Sequence, residues 1–199
     1  MQLSVSALLG LVAAANAHGI VTSPATRTPG DATAAVCGRI MTKFYQADNT
    51  SYPEALFRAN PNGIGKDYNP NKCNLYLCRG YQFADNAKNV QSYKPGDVVE
   101  MDVFIRIPHK GYANVSVVDT TTNSIIGTPL IDWPDNYAAT LTPPANQTKF
   151  SVTIPTTLGD KCTTAGTCVL QWYWLGQGQT YESCVDFTTP KSTAMKFKA

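Results

Sequence analysis

The chain has 199 residues, with sixteen Lys and Arg against fourteen Asp and Glu and only two histidines. This near-neutral balance, with no basic run interleaved with aromatics, lacks the electrostatic footprint of a nucleic-acid binder. No apolar stretch reaches the roughly 18 residues of a membrane anchor, which leaves a soluble protein with a neutral, polar or crystalline partner.

At the amino end, the uncharged apolar run from Leu8 to Ala14 precedes the small residues Ala15, Asn16 and Ala17. That is the pattern of a secretory signal cut after Ala17. No Lys or Arg occurs before Arg27, so only the amino terminus supplies the positive charge of such a signal. Cleavage leaves residues 18–199, a length suited to one domain with a sizeable core. All six cysteines (Cys37, Cys73, Cys78, Cys162, Cys168 and Cys184) lie beyond the cut. An even count in an exported chain implies three disulfides, and six cysteines allow fifteen pairings. Short separations favour Cys73 with Cys78 and Cys162 with Cys168, which leaves Cys37 for Cys184. Zinc is disfavoured because no C-x-x-C occurs and export favours oxidation. Sequons at Asn49, Asn114 and Asn146 add glycosylation in a eukaryotic secretory pathway.

Residues 29–95 are rich in Gly, Asn, Pro and Tyr and too long for a hairpin loop. Long loops on rigid scaffolds often carry binding function. Tyr45, Tyr52, Tyr68, Tyr76 and Tyr81 suit either sugar stacking or packing within such a loop. From Val98 to Ile107, the apolar Val99, Met101, Val103, Ile105 and Ile107 alternate with Glu100, Asp102 and Arg106. Period two over that length predicts a half-buried strand. Further strands are expected over 113–118, 149–154, 168–175 and 181–187, separated by turn-rich segments as in an antiparallel β-sandwich. No segment shows a sustained helical repeat or an internal duplication. Only about a dozen residues follow Phe187, so no appended carbohydrate-binding module is expected.

Of the two histidines, His18 is the first residue of the predicted mature chain. Cleavage would give it a free α-amino group beside its own imidazole, two nitrogens able to chelate one ion. His109 follows the long strand at Pro108 and precedes Gly111, which puts it on an end loop able to supply a third nitrogen. Nitrogen donors in a tetragonal array suit Cu(II). Composition alone leaves equally open a frayed terminal His18 and a surface-loop His109.

The stretch His18-Gly19-Ile20-Val21-Thr22-Ser23-Pro24-Ala25-Thr26-Arg27 resembles the mature start of the chitin-binding type-4 class of lytic polysaccharide monooxygenases, and starch-active members begin similarly. Near the other end, Gln179-Thr180-Tyr181-Glu182-Ser183-Cys184 resembles the segment that places a residue on the copper's axial side, here Tyr181, beside a Gln near the oxygen site, here Gln179. Two apart on a strand, they share a face. The resemblance implies an immunoglobulin or fibronectin-III-like β-sandwich with long disulfide-bearing loops. It also implies one copper per chain in a histidine brace of His18 and His109, with Tyr181 and Gln179 as further catalytic-site residues.

The implied reaction is copper-dependent oxidative cleavage of glycosidic bonds in chitin, cellulose or a starch-like polysaccharide. It needs an external electron donor and dioxygen or hydrogen peroxide, and the protein would be a secreted, extracellular monomer. Two other readings stand beside it: a secreted copper-binding protein of the same fold that oxidises nothing, and a metal-free glycan-binding protein. Retention of Tyr181 and Gln179 favours the enzyme over the carrier, and His18 at the cleavage site disfavours the metal-free protein. Residues 29–95 match no substrate-binding pattern.

Overall fold

The computed structural model describes residues 18–191; the expected signal segment, residues 1–17, and residues 192–199 lie outside the described residues. In chain order the strands are β1 (His18–Ser23), β2 (Gln91–Ser92), β3 (Val98–Ile107), β4 (Gly111–Asp119), β5 (Ser124–Ile125), β6 (Ile131–Tyr137), β7 (Lys149–Thr153), β8 (Cys168–Gly176) and β9 (Gln179–Thr188). The strand expected from the alternation after Val98 forms over the expected residues. Val99, Met101 and Val103 are buried, whereas Val98, Glu100 and Phe104 are exposed.

One sheet has the order β1-β3-β7; the other runs β2-β9-β8-β4-β5, with β6 also paired to β4. All pairings are antiparallel except that of the two-residue β2 with β9. The inner faces meet in one core. Val21, Met101, Val103, Phe150 and Val152 of the smaller sheet pack on Val115, Leu170, Trp172, Trp174, Val185 and Phe187 of the larger. The result is the expected immunoglobulin-like β-sandwich, built by burying one apolar face of each sheet.

The long segment before the second strand is not a plain loop. It contains three short helices, α1 (Asp31–Cys37), α2 (Arg39–Ala47) and α3 (Pro53–Ala59); a single further turn, α4 (Ala145–Thr148), precedes β7. The sequence shows no sustained helical repeat because each helix is shorter than the 11–18 residues over which periodicity can be read. Their ends also depend on distant partners. Asp85 accepts hydrogen bonds from the backbone N–H groups of Gly30, Ala32 and Thr33 at 3.0, 2.9 and 2.8 Å. A side chain remote in sequence thereby satisfies the orphan donors of α1. Pro53 opens α3, where its missing N–H costs nothing. Cys37, Met41, Tyr45, Leu56, Ile64, Cys73, Leu75 and Tyr81 form a second, smaller core beneath this segment.

The outward face of β9 fastens that segment to the sandwich at every second residue. Thr180 donates from its backbone N–H and its hydroxyl to Glu54, at 3.0 and 2.9 Å. Glu182 accepts the backbone N–H of Arg79 at 3.0 Å. Cys184 is bonded to Cys78, and Asp186 accepts two 2.7 Å bonds from the Arg27 guanidinium.

The disulfides are Cys37–Cys73, Cys78–Cys184 and Cys162–Cys168. Only the last matches the expected pairing. Cys78 lies on the turn that Arg79 and Glu182 hold against β9, which brings it to Cys184. Gly80, with φ of +77°, follows directly; a Cβ there would stand 2.7 Å from Cys73 Sγ. Only glycine lets that turn sit on the Cys37–Cys73 bridge.

Candidate functional site

Strand β1 presses on the core through its second residue. A Cβ on Gly19 would meet Trp172 and Trp174 side chains at 3.1 Å, so glycine allows the strand to enter at that depth. His18 pairs with Ile107 at the end of β3, with a register irregularity between His18 and Gly19. Such bulges re-aim a side chain at a sheet edge. Beyond Ile107 the chain passes Pro108 and reaches His109, 7% exposed. The backbone carbonyl of His109 abuts Gly176, where a Cβ would lie 2.9 Å from it. Gly111 pairs with Gly176, and Gly176 with Gln179. The two histidines and Gln179 therefore gather at one end of the sandwich.

Among the described residues there is no group of three or more His, Cys, Asp and Glu side chains able to hold a metal. A site at this end would draw its donors from the two imidazoles and a main-chain amine. A chain cut before His18 supplies that amine, and the resulting all-nitrogen set fits copper.

Beside His18 lie Asp48 and Arg79, neither of them marked out by the sequence. Asp48 Oδ2 lies 3.1 Å from His18 Nε2 and 3.6 Å from Arg106 Nη1. Its other oxygen accepts the Thr50 backbone N–H at 3.0 Å and the Thr50 hydroxyl at 2.6 Å. Partial burial works against ionisation of Asp48, but these bonds and the nearby His18 and Arg106 outweigh it and hold its carboxyl below the usual carboxylate range. The Gly19 N–H donates to Thr50 O at 3.2 Å. The buried Arg79 guanidinium donates to Gly19 O at 3.1 Å and to Asn49 O, joining loop and strand through one cation. Only a nearby Asp-x-Thr turn signal hints at this in sequence.

Gln179 and Tyr181 share a face, as expected. The Tyr181 hydroxyl donates to Gln179 Oε1 at 2.6 Å. The Tyr181 ring is fully buried, stacked on its cross-strand partner Trp174 at 4.5 Å and packed at 5.0 Å on Tyr52, whose ring lies 6.2 Å from that of His18. Burial, reinforced by Tyr52 and Glu54, pushes the Tyr181 hydroxyl far above its ordinary range, so it stays protonated and donates.

Of the loop tyrosines, Tyr45, Tyr52 and Tyr81 are buried packing residues, Tyr68 is half-buried, and Tyr76 is exposed. A shallow cleft of about 340 Å³ opens beside His18, lined by Phe44, Asp48, Ser51, Ala55 and Arg58. A larger one of about 420 Å³, between Arg27, Asn74, Gln82 and Thr120, contains neither histidine. Asn49 and Asn146 are exposed, whereas Asn114 is 5% exposed within β4 and bonded to Tyr112 and Ser116; a glycan there would have to displace both. No helix among the described residues is long and apolar enough to cross a membrane.

Three solved structures resemble this one at low identity. A chitin-binding domain from Burkholderia pseudomallei is 12% identical with a TM-score of 0.45, covering 87% of this chain and 100% of its own. A lytic polysaccharide monooxygenase from Kitasatospora papulosa is 15% identical with a TM-score of 0.37, covering 88% and 100%. A cellulose-active lytic polysaccharide monooxygenase in complex with copper is 16% identical with a TM-score of 0.41, again covering 88% and 100%. No curated protein matches the chain. The family model described as lytic polysaccharide mono-oxygenase, cellulose-degrading, matches residues 18–187. Its first matched residue is His18 and its span takes in His109, Gln179 and Tyr181: the chain belongs to the lytic polysaccharide monooxygenase family.

Proposed function

We propose that the mature protein begins at His18 and is a secreted, copper-dependent monooxygenase acting on an insoluble polysaccharide. Cellulose stands first among cellulose, chitin and starch because the matched family carries that description. The observation that carries the reading is the register of β1 on β3, in which the residue that starts the family match lies opposite Ile107, two positions before the only other histidine.

The α-amino nitrogen and ring of His18 and the ring of His109 would hold the ion. Copper bound there supplies the redox chemistry that turns dioxygen or peroxide, with electrons from an external donor, against a C–H bond beside a glycosidic linkage. The chain's own groups orient and donate. Tyr181, protonated and buried, fixes the Gln179 carboxamide through Oε1, leaving the Gln179 N–H group as a donor beside the site. The cleft next to His18 offers the exposed Arg58 guanidinium to sugar hydroxyls and Phe44 as an apolar wall.

Protein recovered from culture medium should begin at His18 by amino-terminal sequencing. Loaded with copper and given a reductant and peroxide, it should release oxidised oligosaccharides from cellulose, detected by mass spectrometry. Release from chitin or starch alone would move the substrate; oxidised products from none of the three would refute the enzyme and leave the carrier.

A further inference from the structure

Resting on the reading above, we propose that Asp48 is a positioning residue. Its carboxylate accepts the Nε2–H of His18, and so holds the imidazole in the tautomer whose lone pair is on Nδ1. Nδ1 is the ring nitrogen nearer the backbone, the one that can close a chelate with the residue's own α-amine; Nε2 points away from it. A carboxylate is acceptor-only when ionised, so a ring that bonds it must carry its proton on the facing nitrogen.

The geometry divides the work of Asp48 between its two oxygens. Oδ1 takes both Thr50 donors, at 3.0 and 2.6 Å, a local turn motif that needs no second oxygen. Oδ2 is turned instead to His18 Nε2 at 3.1 Å, with the Arg106 guanidinium farther off at 3.6 Å. The local motif accounts for the first arrangement and not for the second. The loop is also held where the contact needs it. Thr50 O takes the Gly19 N–H at 3.2 Å, and Arg79 bonds the carbonyls of both Gly19 and Asn49. Asp48 and His18 thus each sit one residue away from a carbonyl fixed by the same buried cation. The His18 side chain is 12% exposed and that of Asp48 34%, so the contact lies at the edge of the cleft with its imidazole side largely covered. Carboxylate partners of metal-bound histidines fix tautomer and ring orientation, and their loss typically costs about 10- to 100-fold in metal affinity.

The sharpest variant is Asp48→Asn. Its side-chain oxygen can still accept from Thr50 and keep the turn, while its amide nitrogen replaces the acceptor facing His18 with a donor. Long-range proton–nitrogen NMR on the metal-free, nitrogen-15-labelled secreted protein reads the tautomer directly. In wild type the His18 proton should reside on Nε2; in Asp48→Asn it should move toward Nδ1, with an unchanged thermal midpoint showing that the fold is kept. Copper titration of the same pair should show about 10- to 100-fold weaker binding in the variant. An unchanged tautomer together with affinity within twofold of wild type would overturn the proposal. Should wild type take up no copper, the copper reading falls, and the metal-free tautomer comparison still decides what Asp48 does.

Discussion

The two faces of β9 hold the protein together by different kinds of bond. Inward, Tyr181, Val185 and Phe187 join a core of close-packed rings and aliphatic groups, whose contribution scales with buried area and depends little on partner identity. Outward, Thr180, Glu182, Cys184 and Asp186 each have one specific partner in the segment between Arg27 and Arg79. A non-directional face tolerates substitution by volume. A face of paired polar and covalent contacts fails contact by contact, because a broken pair leaves a buried group uncompensated.

The largest effect on that contrast is expected from Arg27→Ala. Asp186 is 1% exposed and takes both 2.7 Å bonds from this guanidinium, so the variant strands a buried charge at a cost of about 3–5 kcal/mol. Denaturant unfolding measures it; a loss below about 1 kcal/mol would mean the outer face is no more specific than the inner.

Next comes Glu182, fully buried, whose carboxyl is pushed up to about 7 by burial, against the opposing pull of the Arg79 N–H and guanidinium. The folded value lies above the ordinary 4.5, so the folded state prefers the protonated form. The stability this contributes is complete below about pH 4.5 and is lost as pH rises through about 7, on the order of 3 kcal/mol in all. Thermal midpoints of wild type and Glu182→Gln should therefore converge at acid pH, with the glutamine variant gaining relative to wild type toward pH 8. A difference that does not change with pH would contradict the assignment.

The smallest effect belongs to the inner face. Tyr181→Phe removes one hydroxyl and its 2.6 Å bond to Gln179 while keeping the stack on Trp174. We expect about 1 kcal/mol of stability lost and copper affinity unchanged, with a change confined to the rate of oxygen-dependent turnover. A large fall in copper affinity would make Tyr181 a ligand.

The legibility of the chain follows the same division. The strands Val98–Ile107 and β7 could be read because period-two burial is written in consecutive residues, whereas β4, β8 and β9, buried along nearly their whole length, stood out as short apolar runs between turn-rich segments. β1 was not read as a strand, since its six residues alternate weakly and its place depends on glycine meeting two tryptophans. The disulfide pairing was not legible. Proximity in sequence joined Cys73 to Cys78, whereas Cys184 faces outward on β9 and meets the turn held by Glu182. At the candidate site, His18, His109, Gln179 and Tyr181 stood out through position and resemblance, and the register gathers the histidines and Gln179 at one end. Asp48 and Arg79 did not, because their roles arise from loops folded across β1 rather than from any spacing.

The central claim, a copper held by the terminal amine and two imidazoles, is tested most directly by calorimetric titration of Cu(II) into protein that begins at His18, into the same protein with one extra residue before His18, and into His109→Ala. The account predicts one tightly bound ion in the first and loss of tight binding in the other two, with all three folded by thermal melt. Equal affinity in the extended protein or in His109→Ala would contradict it, since the amine or the second imidazole would then not be a donor.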